Sequence, residues 1–324
     1  MTAALPDALD VTVAGRREEA TDILSFELVA SDGAPLPAFS AGSHVDVEAG
    51  NGLLRQYSLC NDPAESHRYL IAVLKDPASR GGSRAMHDLV QVGSRLRISR
   101  PKNHFALARD ARRSILVAGG IGVTPLLAMA ERLSVTGADF EFHYCARTPS
   151  RTAFRDRLAA SPFASAVRFH FDDGADDQKL DMSALLKSQP RGTHLYVCGP
   201  QGFMDAVLSR ARDAAWPEPE LHYEFFGAKA ADDTASSSFE VQLASSGRVV
   251  LVRSDQSVVQ ALAQAGADIP TSCEQGVCGT CVTRVLQGTP EHRDFYFTPA
   301  EHERNDQFTP CCSRSRSPRL VLDL

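Results

Sequence analysis

Apolar and polar positions change their rhythm twice along the chain. Up to about Phe105 the apolar residues alternate with polar ones over short runs, "ALDVTVAGRREE", "ILSFELVASDG", "HVDVEAGNG", "RYLIAVLKD" and "SRLRISRPKN", with turn residues between them. Pairs such as Val11 and Val13, or Phe26 and Leu28, have the period of a half-buried strand, and a series of such strands predicts a small antiparallel barrel over residues 1–107. From Ser114 the pattern changes: the buried-type strand "SILVAGG" and the strands "DFEFHYCAR", "VRFHFDD", "THLYVCG" and "LHYEFFG" are interspersed with the helical patterns "TPLLAMAERL" and "QGFMDAVLSRARDAAW". Strands alternating with helices predict a parallel sheet, here over residues 108–228. The small, polar, aperiodic residues 229–238 read as a linker. A third domain, residues 239–324, holds the strands "FEVQLASSG" and "RVVLVRS", a helix "SVVQALAQAG", a cysteine-rich stretch and a terminal strand "RLVLDL". There is no internal repeat or low-complexity tract.

Composition narrows the class. With 324 residues, 43% hydrophobic and 23% charged, the chain is globular and long enough for two or three cores. A formal net charge of -6 argues against a nucleic acid or an anionic membrane as partner. No apolar run approaches the ~20 residues of a membrane helix. Met1 to Asp10 lacks the basic and apolar blocks of a secretory signal, so the expected location is the cytoplasm and the eight cysteines are expected to be reduced.

Three of those cysteines, Cys273, Cys278 and Cys281, stand within "SCEQGVCGTC", separated by four and then two residues. Gly276 and Gly279 exclude a regular element, so the thiols lie on an irregular loop able to wrap an object. With a fourth thiol from Cys311 or Cys312 this is the plant-type ferredoxin spacing that holds a 2Fe-2S cluster. The competing readings are a zinc site, which usually shows two CxxC pairs, and unligated core thiols. Neighbouring side chains of an extended segment point to opposite sides, so only one of Cys311 and Cys312 is expected to serve. A cluster of this kind carries one electron and needs a donor.

The second domain offers one. "SILVAGGIGVTPLLAM" runs from a strand through Gly119, Gly120 and Gly122 into a helix opening with Thr124 and Pro125, a turn suited to a pyrophosphate or simply to tight packing. The acid that usually follows about 20 residues on is replaced by Arg147 and Arg151. Cys198, Gly199 and Pro200 end another strand at the carboxyl edge, where open sheets bind ligands. Arg147 suits a 2'-phosphate, an adenine or a pyrophosphate, whereas Asp172 and Asp173 near the ribose would repel an extra phosphate and favour NADH.

In the barrel, "RQYSLCND" places Arg55, Tyr57 and Ser58 on one strand. A cation, an aromatic surface and a hydrogen-bonding group are what a flavin phosphate, ring and reactive nitrogen require. An exposed strand with a snorkelling arginine is the bland alternative. "SRGGSRAMHDLV" supplies Arg80, Gly81 and Gly82 as a second anion site at a helix start, with Ser83 as its cap.

Taken in order, "RQYSLCND", "RGGS", "AGGIGVTP", "CGPQGFMD", "EFFGA" and "CEQGVCGTC" cover nearly the whole chain and resemble the phthalate dioxygenase reductase family. The resemblance implies an antiparallel β-barrel flavin domain, an α/β parallel-sheet nucleotide domain and an α+β ferredoxin domain of β-grasp type. It implies an NADH-dependent flavin iron–sulfur oxidoreductase with FMN rather than FAD, delivering electrons singly to a Rieske-type oxygenase involved in aromatic degradation. Matching FMN positions are Arg55, Tyr57, Ser58, Ala72, Val73, Gly81, Gly82, Ser83 and Thr124, with Phe226 beside the flavin ring. Matching pyridine-nucleotide positions are Gly120, Thr124, Arg147, Cys198, Gly199 and Pro200; the cluster positions are Cys273, Cys278, Cys281 and Cys311. Ser58, Cys198 and Phe226 are thereby cast as the residues at the hydride-transfer centre. Cys312 departs from an apolar residue common in the family, and Leu74 from a basic one. The exposed loop from Gln275 to Thr280 is the expected docking point, and the chain is expected to be a monomer. Two other readings stand beside this one: a reductase for a cytochrome P450 or another acceptor, and a redox-sensing electron-carrier module.

Overall fold

The computed structural model describes residues 5, 7–77, 81–187, 189–226, 238–271, 273–274 and 276–324. Of the sequence expectations, Arg80, Gln275 and all but the last residue of the 229–238 linker lie outside these. The described chain forms two compact units, Thr2–Glu224 and Phe225–Leu324.

The first unit opens with the barrel. Strands β1 (Leu9–Ala20), β2 (Ile23–Ala30), β3 (Ser43–Glu48), β4 (Leu54–Ser58), β5 (Tyr69–Leu74), β6 (Arg95–Ile98) and the short β7 (Lys102–Asn103) form one sheet. Its order is β4-β3-β6-β1-β2-β5, with β7 beside β3, and α1 (Gly82–Leu89) follows β5. All the paired strands are antiparallel. The alternation seen in the sequence places Val11, Val13, Phe26 and Leu28 in the interior, where each is fully buried. Between Val13 and Gly15 the register slips by one residue, a bulge that bends β1 round the core. β4 and β5 are the two ends of the sheet, and a bridge from Leu59 to Ile71 brings them together.

The rest of this unit is α/β: β8 (Arg113–Gly119), α2 (Val123–Thr136), β9 (Asp139–Ala146), α3 (Arg155–Ala159), β10 (Val167–Phe171), α4 (Met182–Leu186), β11 (Thr193–Gly199), α5 (Gln201–Asp213) and β12 (Leu221–Phe225). The sheet order is β10-β9-β8-β11-β12, and β8 pairs in parallel with both β9 and β11. The chain builds outward from β8 to β10, then returns to the other side of β8, so the order reverses between β8 and β11. Helix α2 is buried from Val123 to Ala130. Its Leu126, Leu127 and Met129 share one core with Ile23, Ala72 and Phe105 of the barrel. Burying a side chain of this size is worth about 1.5–3 kcal/mol, so α2 welds barrel to sheet.

The second unit is a mixed sheet of order β14-β13-β19-β15-β17. Its elements are β13 (Phe239–Leu243), β14 (Val249–Val252), α6 (Val258–Gln264), β15 (Thr283–Gln287), β16 (Pro290–Glu291), α7 (Pro299–Arg304), β17 (Gln307–Phe308), β18 (Arg314–Ser315) and β19 (Arg319–Leu322). β13 runs parallel to β19 and antiparallel to β14, and α6 covers a core of Phe239, Val241, Leu262, Phe308 and Leu320. Ser257 and Gln260 form a capping box at the start of α6. The Arg314 guanidinium lies 5.1 Å from the centre of the Phe239 ring and donates to the carbonyls of Gln256 (2.9 Å) and Arg253 (3.0 Å), tying the chain after the last cysteines to this core.

Candidate functional site

At the joined ends of the barrel sheet, β4 presents Arg55, Tyr57 and Ser58 beside Ala72 and Val73 of β5. The following helix begins at Gly82, and its cap is Gly81, at a φ of 102°. Ser83 is therefore inside the helix, not its cap: its hydroxyl accepts from the Asp76 N–H at 3.2 Å and holds the preceding loop. A methyl group on Gly82 would stand 2.6 Å from Arg55 Cγ and 2.7 Å from Nε. The arginine stem thus lies across the bare backbone at the helix start, where no acidic side chain occupies the first turn. A guanidinium beside the N–H groups of a helix start is chemistry that suits a phosphate. Tyr57 is half-buried, and its hydroxyl is shut off from solvent without a hydrogen-bond partner among the described residues. Burial holds that phenol protonated. A buried donor without a partner is what a bound polar ligand would complete. The residues fit FMN.

The reversal point of the parallel sheet lies between the carboxyl ends of β8 and β11, the general position for a ligand in such sheets. Gly119 to Gly122 and Cys198 to Pro200 meet there backbone to backbone. A Cβ on Gly122 would collide with the Cys198–Gly199 peptide, and one on Gly199 would stand 2.9 Å from Gly119 Cα. Gly120 needs its freedom for another reason, a φ of 54°. Thr124 is buried and donates its hydroxyl to the Ile121 carbonyl at 3.1 Å, closing the turn. Arg147 is exposed at the end of β9, and the exposed pair Asp172 and Asp173 sits beside it through the bond from the Asp173 N–H to the Arg147 carbonyl (3.2 Å).

Sequence reasoning missed Glu224. It stands at the end of β12, and Ser58 Oγ donates to its Oε2 at 3.4 Å while His44 Nδ1 lies 3.9 Å from Oε1. Burial pushes the Glu224 carboxyl up to about 8, against the hydrogen bond from Ser58. Burial also takes His44 down to about 4, with Asp46 opposing and His104 and Lys102 assisting. Both groups are therefore neutral at pH 7. The Cys198 thiol is fully buried and held protonated, by burial first and then by the nearby Glu224. Ser58 of β4 thus meets a protonated Glu224 of β12, with the Cys198 thiol of β11 nearby. The available signal was a single acid inside an otherwise apolar–aromatic strand, "HYEFFG". Phe226, two residues further on, is 38% exposed.

In the second unit the loop after α6 brings the thiols together. Cys273 hydrogen-bonds Cys278, which draws that thiol down to about 5, and Cys311 hydrogen-bonds Cys281 and Cys312, which drives it up. Cys273, Cys281 and Cys311 are buried and Cys278 is partly exposed. Cys312 Sγ turns to the Thr309 hydroxyl at 3.3 Å. Gly276 has a φ of 71°, and a Cβ there would stand 2.5 Å from Cys312 Sγ. Gly279 has the same φ, and a Cβ there would run into the Tyr296 ring. Three thiols on a loop held open by two glycines, with Cys311 brought beside Cys281 from the segment after β17, fit a 2Fe-2S cluster.

A flavin-type barrel, a nucleotide-type parallel sheet and a cysteine cluster on a ferredoxin sheet define an electron-transfer reductase. The comparisons agree. Residues 241–316 match the 2Fe-2S iron–sulfur cluster binding domain, and residues 96–221 match the N-terminal domain of dimethylamine monooxygenase subunit DmmA-like proteins. The chain is 55% identical to the vanillate O-demethylase oxidoreductase of Pseudomonas putida over 98% of its own length and 100% of that protein's. It is 39% identical to the phthalate dioxygenase reductase of Burkholderia cepacia, over 98% and 97% of the two chains. The solved structure of phthalate dioxygenase reductase, described as modular for electron transfer from pyridine nucleotides to 2Fe-2S, superposes with a TM-score of 0.81, 39% identity and 98% coverage of both chains. An intact type IV self-sufficient cytochrome P450 monooxygenase matches with a TM-score of 0.79 and 41% identity over 98% of this chain and 41% of that one. The protein belongs to the phthalate dioxygenase reductase family. It is an oxidoreductase, the reductase component of an oxygenase system, moving electrons from NADH through a flavin to a 2Fe-2S centre.

Proposed function

We propose that this reductase serves a Rieske-type oxygenase that demethylates vanillate or a close methoxybenzoate. The observation that carries this reading is the end-to-end match to vanillate O-demethylase oxidoreductases, 53% and 55% identical, against 39% to 42% for reductases named for phthalate. FMN, when bound, converts a two-electron hydride delivery into single-electron releases. The chain's residues do the rest. Arg55 and the start of α1 would hold the phosphate, and the Tyr57 hydroxyl would donate to the flavin. Ser58, Cys198 and the neutral Glu224 line the hydride-transfer point and keep fixed charge away from it. Gly120, Gly199 and Pro200 allow the nucleotide backbone to approach, Arg147 meets its polar end, and Asp172 and Asp173 support NADH over NADPH. Phe226 matches the family's aromatic residue that would lie beside the flavin ring and that the nicotinamide would have to displace. Cys273, Cys278, Cys281 and Cys311 hold the cluster, and the loop reaching Thr280 docks the partner. We further infer three domains, 1–107, 108–228 and 239–324, a monomer, and a reducing compartment such as the cytoplasm, which the eight free cysteines support.

The test is reconstitution: purified reductase, NADH and a vanillate demethylase oxygenase, with vanillate loss and NADH consumption followed together. Coupled turnover is expected, with Cys278→Ser losing both this and cytochrome c reduction while retaining ferricyanide reduction. A reductase that turns over with a cytochrome P450 and not with the Rieske oxygenase would replace the partner assignment. Equal cytochrome c reduction by Cys278→Ser would remove the cluster from the route.

A further inference from the structure

Away from the four thiols, the second unit contains a group that the electron route does not use. His292 and Asp294 lie between β16 and α7, and His302 lies in the last turn of α7. Their ligand atoms all fall within 4.8 Å of one another. His292 Nδ1 is 3.6 Å from Asp294 Oδ1, beyond hydrogen-bond length, and His302 Nε2 is 3.2 Å from Oδ2. The two imidazoles lie face to face, centroids 4.2 Å apart at 26°. Four donors at the ~2.0–2.1 Å typical of zinc stand about 3.3–3.4 Å apart along a tetrahedron's edge; the two imidazoles approach one oxygen each of the carboxylate at close to that length.

Burial makes this arrangement costly as it stands. The Asp294 side chain is 0% exposed and that of His292 10%. Neither His292 nitrogen has a hydrogen-bond partner among the described residues. A buried polar group left without a partner is destabilising, and a bound ion would supply one. The only charge-capable partners of Asp294 among the described residues are the two imidazoles; the neighbouring Arg293 pairs with Glu291. Asp294 is also oriented from behind: Oδ1 accepts from Ser313 Oγ (3.2 Å) and Oδ2 from the Phe297 N–H (3.0 Å), the outer-shell pattern of a ligating carboxylate.

We propose that His292, Asp294 and His302 form a second metal site, taking a first-row divalent transition ion. Two imidazoles and a carboxylate select zinc and its neighbours over magnesium or calcium, and three protein ligands leave the fourth position to water. His302, 26% exposed, is the side from which the ion arrives. The ion staples the chain before α7 to its last turn. Through the bond from the Phe295 N–H to the Gly276 carbonyl (3.0 Å), that staple buttresses the cluster loop.

The test uses full-length holoprotein, stripped of loose metal, equilibrated with zinc chloride, desalted and analysed for zinc and iron. One zinc per chain with iron unchanged is expected. His302→Ala and His292→Asn, checked for native iron content and visible spectrum, should each retain at least about 10-fold less. An anomalous difference map at the zinc edge from wild-type crystals should place a peak between the three side chains, and it decides the matter even if a variant misfolds. No retained zinc, zinc gained only as iron is lost, equal retention by the variants, or a peak elsewhere would overturn the site.

Discussion

Glu224→Gln isolates one buried proton. Raising a carboxyl from its ordinary 4.5 to about 8 corresponds to about 5 kcal/mol of resistance to ionisation, at about 1.4 kcal/mol per factor of ten. The folded pKa lies above the unfolded one. The contribution is therefore fully present below pH 4.5 and is lost progressively as pH rises to about 8. Glutamine keeps the shape and cannot ionise, so it is exempt from this loss. Relative to wild type, the variant should gain about 2–3 kcal/mol of stability between pH 6 and 8.5. The chain has a single tryptophan, Trp216, in the same unit as Glu224, with its indole N–H donating to the Leu186 carbonyl at 2.8 Å. Its fluorescence during urea unfolding of the holoprotein at the two pH values reads this unit directly. A wild-type-to-variant difference that stays constant with pH would refute the buried neutral acid and the proton-holding role derived from it.

Cys311→Ser should lose the visible absorption and iron of the cluster, while Cys312→Ser keeps both; the reverse pattern would exchange their places. Gly122→Ala should cost about 1–3 kcal/mol by forcing a methyl group against the Cys198–Gly199 peptide, and NADH titration should show weaker binding. Gly82→Ala should displace the Arg55 stem and raise the FMN dissociation constant about 10-fold, or about 1.4 kcal/mol, with the fold intact by circular dichroism.

The glycine contacts show why some site residues could be read in advance and others could not. "AGGIGVTP" marks a strand–turn–helix wherever it occurs, because its local conformation and its chemistry arise from the same few residues. The antiparallel barrel, the parallel sheet and the ferredoxin sheet were legible for a like reason: periods of two and of 3.6 are local. Short elements such as β16, β18 and α7 carry too few residues for a period, and the sequence reading passed over them.

What the sequence determined by itself was therefore everything written in consecutive residues: the order of three folding patterns, the thiol spacing and the phosphate-suited turns. Only the tertiary structure decided which distant side chains share a dry space. Glu224 became a neutral acid because β12 carries it to Ser58 and Cys198, and burial there withholds the water a carboxylate needs. The surroundings of two adjacent cysteines likewise come from distant residues, Cys281 beside Cys311 and Thr309 beside Cys312. Dielectric environment and long-range contact belong to the packed chain, and no window of neighbouring residues contains them.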